Sequence, residues 1–383
     1  MHSGWSKTRV GLLLGFAGAA GSLAAGNLLY FLLAAAWMLF MTGLGNRRPT
    51  WSVTSFTLAG VLAVLGFFGL WFERKYPPPA AQDIFEPANW ARPHDVLGNQ
   101  PFPGLHARWK RYVGGKLLFD VAVSTDENGL RITPPAPQAK ESILFFGCSY
   151  TFGHGVNDSE TFPYLVGAAT AGKYAVYNFG FNGYGPNQML AALQSGWAET
   201  VVRQPPILVV YLAIPDHVRR VWGRELPIWQ MRDPRFELDA NGRLVRTGRF
   251  EDRKPDEQEK RLTQRILNLY EKSYFKKIAP TTTTDYRLYV EIVKASRDEV
   301  ARRFPRSHFE VVYWPPPDPG AASWAKGTED TLRAAGFEVH NVKTFLRGDA
   351  YKYVLSPKDV HPNPVGDQLM ADYVVEALIP RDN

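Results

Sequence analysis

Two stretches near the amino terminus hold no charged residue, Val10 to Leu44 over 35 residues and Trp51 to Phe72 over 22. An α-helix rises about 1.5 Å per residue, so roughly 20 residues cross a hydrocarbon core of about 30 Å and the second stretch fits one span. The first, drawn as one helix, would reach about 52 Å and overshoot. It is expected to fold back at Gly21, Ser22, Gly26 and Asn27, giving a transmembrane region of two or three helices over residues 1–75. Lys7 and Arg9 precede the first tract, and Arg47 and Arg48 separate the two. The positive-inside rule places both basic sites in the cytoplasm, which three crossings satisfy by exporting everything after Phe72. Glu73, Arg74 and Lys75 oppose that arrangement mildly; two crossings and a cytoplasmic tail form the competing one. The expected location is the cytoplasmic or inner membrane, with an extracytoplasmic soluble domain.

Charged residues make up 21% of the chain and a single cysteine is present, which excludes a disordered or disulfide-stapled protein. The net charge of +7 invites a nucleic-acid partner. However, the basic residues are dispersed among acidic ones and no zinc-finger, RNP or basic-zipper pattern is present, so none is expected. The histidines show no metal-ligand spacing, and neither a metal nor another cofactor is expected.

Pro77, Pro78 and Pro79 mark a stiff linker. Residues 76–138 read as this linker and a small β appendage. In it, Leu117 to Val123 is expected to pair, through a turn at Asp126 to Gly129, with Leu130 to Ile132. From residue 139 the pattern changes to short apolar runs separated by helical stretches. Ile143–Phe146, Ala175–Phe179, Ile207–Ala213, Phe309–Trp314 and Phe337–Val342 are the expected strands of a parallel sheet covered on both faces. Residues 215–305 are too many for one crossover and read as an insertion: a hairpin, Phe236 to Phe250, then helices near Asp256 to Lys277 and Tyr286 to Phe304.

In sheets of this kind ligands bind at the carboxyl ends of the strands. The run Phe146-Gly147-Cys148-Ser149-Tyr150 ends a strand in a tight turn, the place for a nucleophile. Serine needs a base, an orienting carboxylate and oxyanion donors. Asp359 and His361 lie close together on an expected loop before the last helix and can supply the first two. The glycine-rich run Asn178 to Gln188 comes after the second strand and can aim backbone N–H groups into the same mouth. Duller roles compete: Asp359 as a helix cap, His361 as a helix-start residue, His217 at the surface, and Arg219 and Arg220 as a solvated pair. Cys148 reads as a small buried residue, and Asp158 and Glu160 as caps of a helix beginning near Thr161.

Taken together, these blocks resemble the SGNH, or GDSL-like, hydrolase superfamily over roughly residues 141–375. Cys148 stands where the family usually has Asp, and Asn178-Phe179-Gly180-Phe181-Asn182-Gly183 resembles its Asn-x-Gly-x-x-Gly block. The resemblance implies an SGNH-type, flavodoxin-like three-layer α/β/α domain over residues 139–383. It also implies a Ser149–His361–Asp359 triad and an oxyanion hole from the Ser149 and Gly183 amides. Two departures stand out. Pro215 occupies the position of the family's third oxyanion residue, an Asn, and proline has no N–H; His217 is the neighbour that could replace it. The acid also precedes the histidine by two residues instead of three. The implied activity is ester hydrolysis, with an acylated carbohydrate or other ester as substrate. The alternatives are O-acyl transfer within an envelope polysaccharide machinery, and a catalytically weak carbohydrate-binding or assembly protein.

Overall fold

The computed structural model describes residues 12–15, 18–19, 28–45, 49–75, 81–223, 230–252, 283–317 and 322–380. The chain divides into two units, the amino-terminal helices and the body that begins at residue 80, each described by itself.

In the first unit, α1 (Leu28–Gly45) and α2 (Pro49–Lys75) pack together. Gly43 makes this possible, since a Cβ there would lie 2.7 Å from the Phe56 ring. The Ser52 hydroxyl donates to the Gly43 carbonyl at 2.8 Å, and the Phe40 and Phe56 rings meet at 5.4 Å. Residues 12–15 and 18–19 lie along α1, with Gly15 against Met38 and Gly18 against Ala34. The expected turn at Gly21 to Asn27 falls outside the described residues, as does the Pro77–Pro79 linker. Among the described helices, Thr50–Trp71 is long and apolar enough to cross a membrane, and Tyr30–Leu44 is a shorter apolar helix. Phe67, Phe68 and Trp71 remain largely exposed on the surface of α2.

The second unit opens with β1 (Ala81–Glu86), β2 (Ala91–His94), β3 (Gly98–Pro101), β4 (His106–Val113) and β5 (Lys116–Ser124). β1, β4 and β5 form an antiparallel sheet, and β2 pairs with β3. The expected pairing of Leu117–Val123 with Leu130–Ile132 does not form. β5 pairs with the strand before it, through Gly114 and Gly115 at φ 59° and 75°, a conformation suited to a two-residue hairpin turn. The Asp126–Gly129 turn exists, closed by Asp126 Oδ1 accepting from the Asn128 and Leu130 amides, but the segment after it makes only single bridges at Arg131. Aromatic packing fastens this region to the body: Trp90 meets Phe181 at 5.1 Å, and Trp109 and Phe119 meet the His154 ring at 4.3 and 5.4 Å.

The body is built on β6 (Glu141–Phe146), β7 (Tyr174–Asn178), β8 (Pro206–Ala213), β11 (His308–Tyr313) and β12 (Val339–Asn341), all parallel, in the order β12-β11-β8-β6-β7. In chain order this is the flavodoxin-like arrangement 2-1-3-4-5, whose switch point lies between β6 and β8. All five expected strands are present, displaced by at most two residues at an end. Successive residues of β8 alternate between two cores. Leu208, Val210 and Leu212 join the one that holds Phe162, Val166, Met370 and Val374, while Val209, Tyr211 and Ala213 join the one that holds Leu190, Leu193, Ile292 and Val300. The period of two sends alternate side chains to opposite faces, and a helix layer on each face makes the strand apolar throughout.

Several short helices position the site: α3 (Ser149–Phe152), α4 (Phe162–Ala169), α5 (Pro186–Gln194), α6 (Trp197–Val201) and α7 (Asp216–Arg220). The insertion holds the expected hairpin, β9 (Pro234–Leu238) with β10 (Leu244–Arg249), and α8 (Thr283–Arg303) covers the expected helix near Tyr286. The expected helix at Asp256–Lys277 lies outside the described residues. After α9 (Ala322–Ala334), the chain forms the hairpin β13 (Val354–Ser356) and β14 (Asp359–Pro362) before α10 (Pro364–Tyr373).

Candidate active site

β6 ends at Phe146, and the chain turns at once into the single turn of α3. Gly147 is required there: a Cβ would sit 2.1 Å from Thr151 Oγ1. The amides of Thr151 and Phe152 donate to the Cys148 carbonyl, and Gly153 closes the turn at φ 90°. Ser149 is thereby held at the carboxyl end of β6, beside the switch point. Cys148 is wholly buried, as expected.

Asp359 and His361 lie on a strand, β14, and not on the expected loop. A strand places residues i and i+2 on one face, so the two-residue spacing brings both side chains to the same side. His361 Nδ1 lies 2.5 Å from Asp359 Oδ1, and His361 Nε2 lies 2.8 Å from Ser149 Oγ. The competing role of Asp359 as a cap is taken by Asn363, whose Oδ1 accepts from the Val365 and Gly366 amides. Capping of α4 also differs from expectation. Thr161 accepts from the Tyr164 amide, while Asp158 serves Arg131 and the Ser124 amide.

The acid end of this chain contains two residues that motif reading missed. Arg111, from β4, places Nη1 2.9 Å from Asp359 Oδ2 and 2.6 Å from His154 Nε2. The His154 ring stacks on His361 at 3.9 Å with the planes 15° apart. Gly153 and Gly155, at φ 90° and 81°, fix the backbone around His154; this Gly-His-Gly pattern was the available signal. Burial, and then the nearby His361, lower the His154 pKa to about 3, so it is neutral and accepts from the guanidinium. Burial pushes the Asp359 carboxyl up, but its close polar contacts with His154 and His361 outweigh this and hold it well below the usual carboxylate range. His154, Asp359 and His361 present ligand atoms within 4.8 Å of one another, a spacing that could cage a metal ion. Here the Arg111 cation already engages two of the three, which disfavours a second cation.

Gly183 lies on the loop after β7, the neighbour of β6 in the sheet. Its φ is 79° and its carbonyl accepts from Gln230 Nε2 at 2.6 Å, which fixes the Gly183–Tyr184 peptide. As the first residue of α3, Ser149 has an N–H outside the intrahelical ladder. His217 is placed otherwise than the sequence suggests. It is wholly buried, with Nδ1 2.7 Å from Tyr211 Oη, so its ring presents no surface to a substrate. Burial, with Arg220 nearby, lowers its pKa well below the ordinary histidine value. The reason is the strand register: Tyr211 points into the α8-side core, and α7 folds His217 back onto it. Arg220 is not a solvated residue either; Nη1 donates to the Tyr184 carbonyl at 2.6 Å.

Solved structures with related folds include a lipolytic protein of the G-D-S-L family from Desulfitobacterium hafniense. It is 14% identical, with a TM-score of 0.35, covering 62% of this chain and 99% of that one. A lipase from a goat rumen metagenome is 15% identical, with a TM-score of 0.37, covering 63% and 98%. A carbohydrate acetylesterase family member from Sinorhizobium meliloti is 11% identical, with a TM-score of 0.31, covering 61% and 95%. No protein-family model and no curated protein matches the sequence.

Proposed function

We propose that this chain is a membrane-anchored serine esterase of the SGNH type, with its soluble domain outside the cytoplasm and an O-acyl ester, such as an acylated carbohydrate, as substrate. The observation that carries the reading is the unbroken chain Ser149 Oγ, His361 Nε2, His361 Nδ1, Asp359 Oδ1, at 2.8 and 2.5 Å, at the switch point of a parallel sheet. Ser149 Oγ attacks the ester carbonyl carbon while His361 Nε2 takes its proton, and Asp359 holds the imidazole by Nδ1–H. The Ser149 and Gly183 amides receive the oxyanion of the tetrahedral intermediate. Collapse breaks the C–O bond, and the alkoxide leaves with the proton from His361. Water then repeats the attack with His361 as base, and the acid departs as Ser149 is regenerated. Pro215 supplies no third donor and the buried His217 is engaged by Tyr211, so the oxyanion rests on backbone amides. The Thr50–Trp71 helix supports the anchor, and the basic residues at 47 and 48 support export of the chain beyond it.

The test is intact-mass labelling of the chain with a fluorophosphonate, beside turnover of a chromogenic acetyl ester by wild type and Ser149→Ala. One adduct and turnover, both lost in the variant, are expected. A folded protein that takes no adduct would refute the reading. Acetyl transfer to an added oligosaccharide in excess of hydrolysis would make the same triad a transferase.

A further inference from the structure

The acid end of the candidate triad is held by a part of the chain that lies outside the α/β body. Arg111 is on β4, and its side chain is 19% exposed. Besides Asp359 and His154 it meets Asp83 of β1, with Nη2 3.3 Å from Oδ2. The other Asp83 oxygen accepts from Trp109 Nε1 at 2.8 Å, and the Trp109 ring stands edge-on to His154 at 4.3 Å. The two Asp359 oxygens are thus divided, Oδ1 to His361 and Oδ2 to Arg111.

We propose that Arg111, with His154, is a positioning clamp on Asp359 that aims Oδ1 at His361, so that the amino-terminal β-sheet completes the active site. The proposal rests on the serine-esterase reading. When His361 takes the Ser149 proton, the imidazolium faces the Asp359 carboxylate. A guanidinium at hydrogen-bond distance from that carboxylate cancels part of its charge, and removing it would leave the full carboxylate charge facing the imidazolium. His154 has a second task in the clamp. Two stacked imidazoliums would repel, and the Arg111 N–H that occupies Nε2 bars protonation there. The charged and titratable groups facing His361 and Asp359 are Arg111 and Asp83 from the small sheet, His154 after α3, and Ser149 and Tyr150 of α3. Asp216 and Arg220 act on Tyr150 in turn.

The experiment is a histidine NMR titration of the full-length chain in detergent, in the Ser149→Ala background, with His361 assigned through His361→Gln. The acid limb of kcat/KM for 4-nitrophenyl acetate is measured in parallel with Ser149 intact. Arg111→Met is expected to raise the His361 midpoint by about one pH unit, to move the acid limb with it, and to lower kcat more than it changes KM. Because that variant frees His154 to take a proton, the titration is repeated in Arg111→Met/His154→Phe, where the rise is expected in full. Arg111→Lys keeps a cation but not the bridging fork, and a midpoint between the two is expected; it decides the matter if the methionine variant does not fold. Arg108→Gln, on the same strand but paired with Asp120 at the surface, leaves the midpoint unchanged. An unmoved His361 midpoint in both the lysine variant and the double variant overturns the clamp. Turnover that survives in Ser149→Ala overturns the esterase reading instead, and the NMR midpoints still judge the clamp.

Discussion

Arg131 is 1% exposed and holds the loop between the nucleophile and α4, so Arg131→Met reads how that loop is kept in place. Its Nε donates to Asp158 Oδ1 at 2.6 Å, and Nη2 donates to the Ala122 and Val156 carbonyls at 2.9 and 3.0 Å. Nη1 reaches the Phe152 and Gly153 carbonyls, both at 3.3 Å. Removing one member of a buried ion pair costs about 3 to 5 kcal/mol, because the other charge is left without its partner. The Asp158 side chain keeps 15% exposure and recovers some hydration, whereas the four carbonyls lose a donor. The expected loss is therefore near the middle of that range, about 4 kcal/mol. Urea unfolding followed by tryptophan fluorescence measures it, and an unchanged m-value would place the effect in the native state. Arg131→Lys should recover less than half, since an ammonium cannot serve a fork of separated acceptors. A loss below about 1 kcal/mol would mean that water replaces the guanidinium and that the loop stands without it.

Gly183→Ala places a β-carbon at φ 79°, at a cost of about 1 to 2 kcal/mol in strain. The substitution keeps the N–H but strains the backbone that aims it, so if this amide is an oxyanion donor kcat for the acetyl ester should fall, by up to roughly 10²-fold, with KM little changed; an unaltered kcat would show that the strain does not move a donor off the oxyanion. The protein should also lose stability as pH falls from 6.5 to about 3, because over that window the unfolded chain protonates His154 and the native fold does not. The slope from this one group is at most about 1.4 kcal/mol per pH unit. Asp359, held low in the native state, adds its own loss only lower, as pH drops through the carboxylate range. Urea midpoints at several pH values should show a shallower decline in His154→Phe between pH 6.5 and 5, and equal slopes would refute the assignment.

The parallel core was legible because its strands are buried on both faces and read as unbroken apolar runs; Ile143, Leu144 and Phe145 are each wholly buried. The small sheet was harder. The Asp-Glu-Asn-Gly turn at 126–129 is a strong local signal, yet β5 pairs backwards through Gly114-Gly115, and register there is set by Trp109 and Phe119 meeting across the sheet. Local turn chemistry marked the turn at 126–129, but the long ladder forms on the other side of β5.

The same division runs through the site. Ser149, Gly183, Asp359 and His361 each sit in a short block whose chemistry is local, and such blocks can be read. Arg111 and Asp359 are 248 positions apart, and nothing in either segment announces the other. His217 shows the opposite case: its position in the sequence suits an oxyanion donor, and the six-residue separation from Tyr211 lets the two bond in the core. The Asp-x-His spacing shows why both kinds of information are needed. On a helix it would turn the two side chains apart, and on β14 it points them the same way. The strand exists because β13 pairs with it, Ser356 opposite Asp359. The Ser356 hydroxyl accepts from the Asp359 amide at 3.0 Å, so the contact that fixes the acid's backbone comes from three residues before the acid itself.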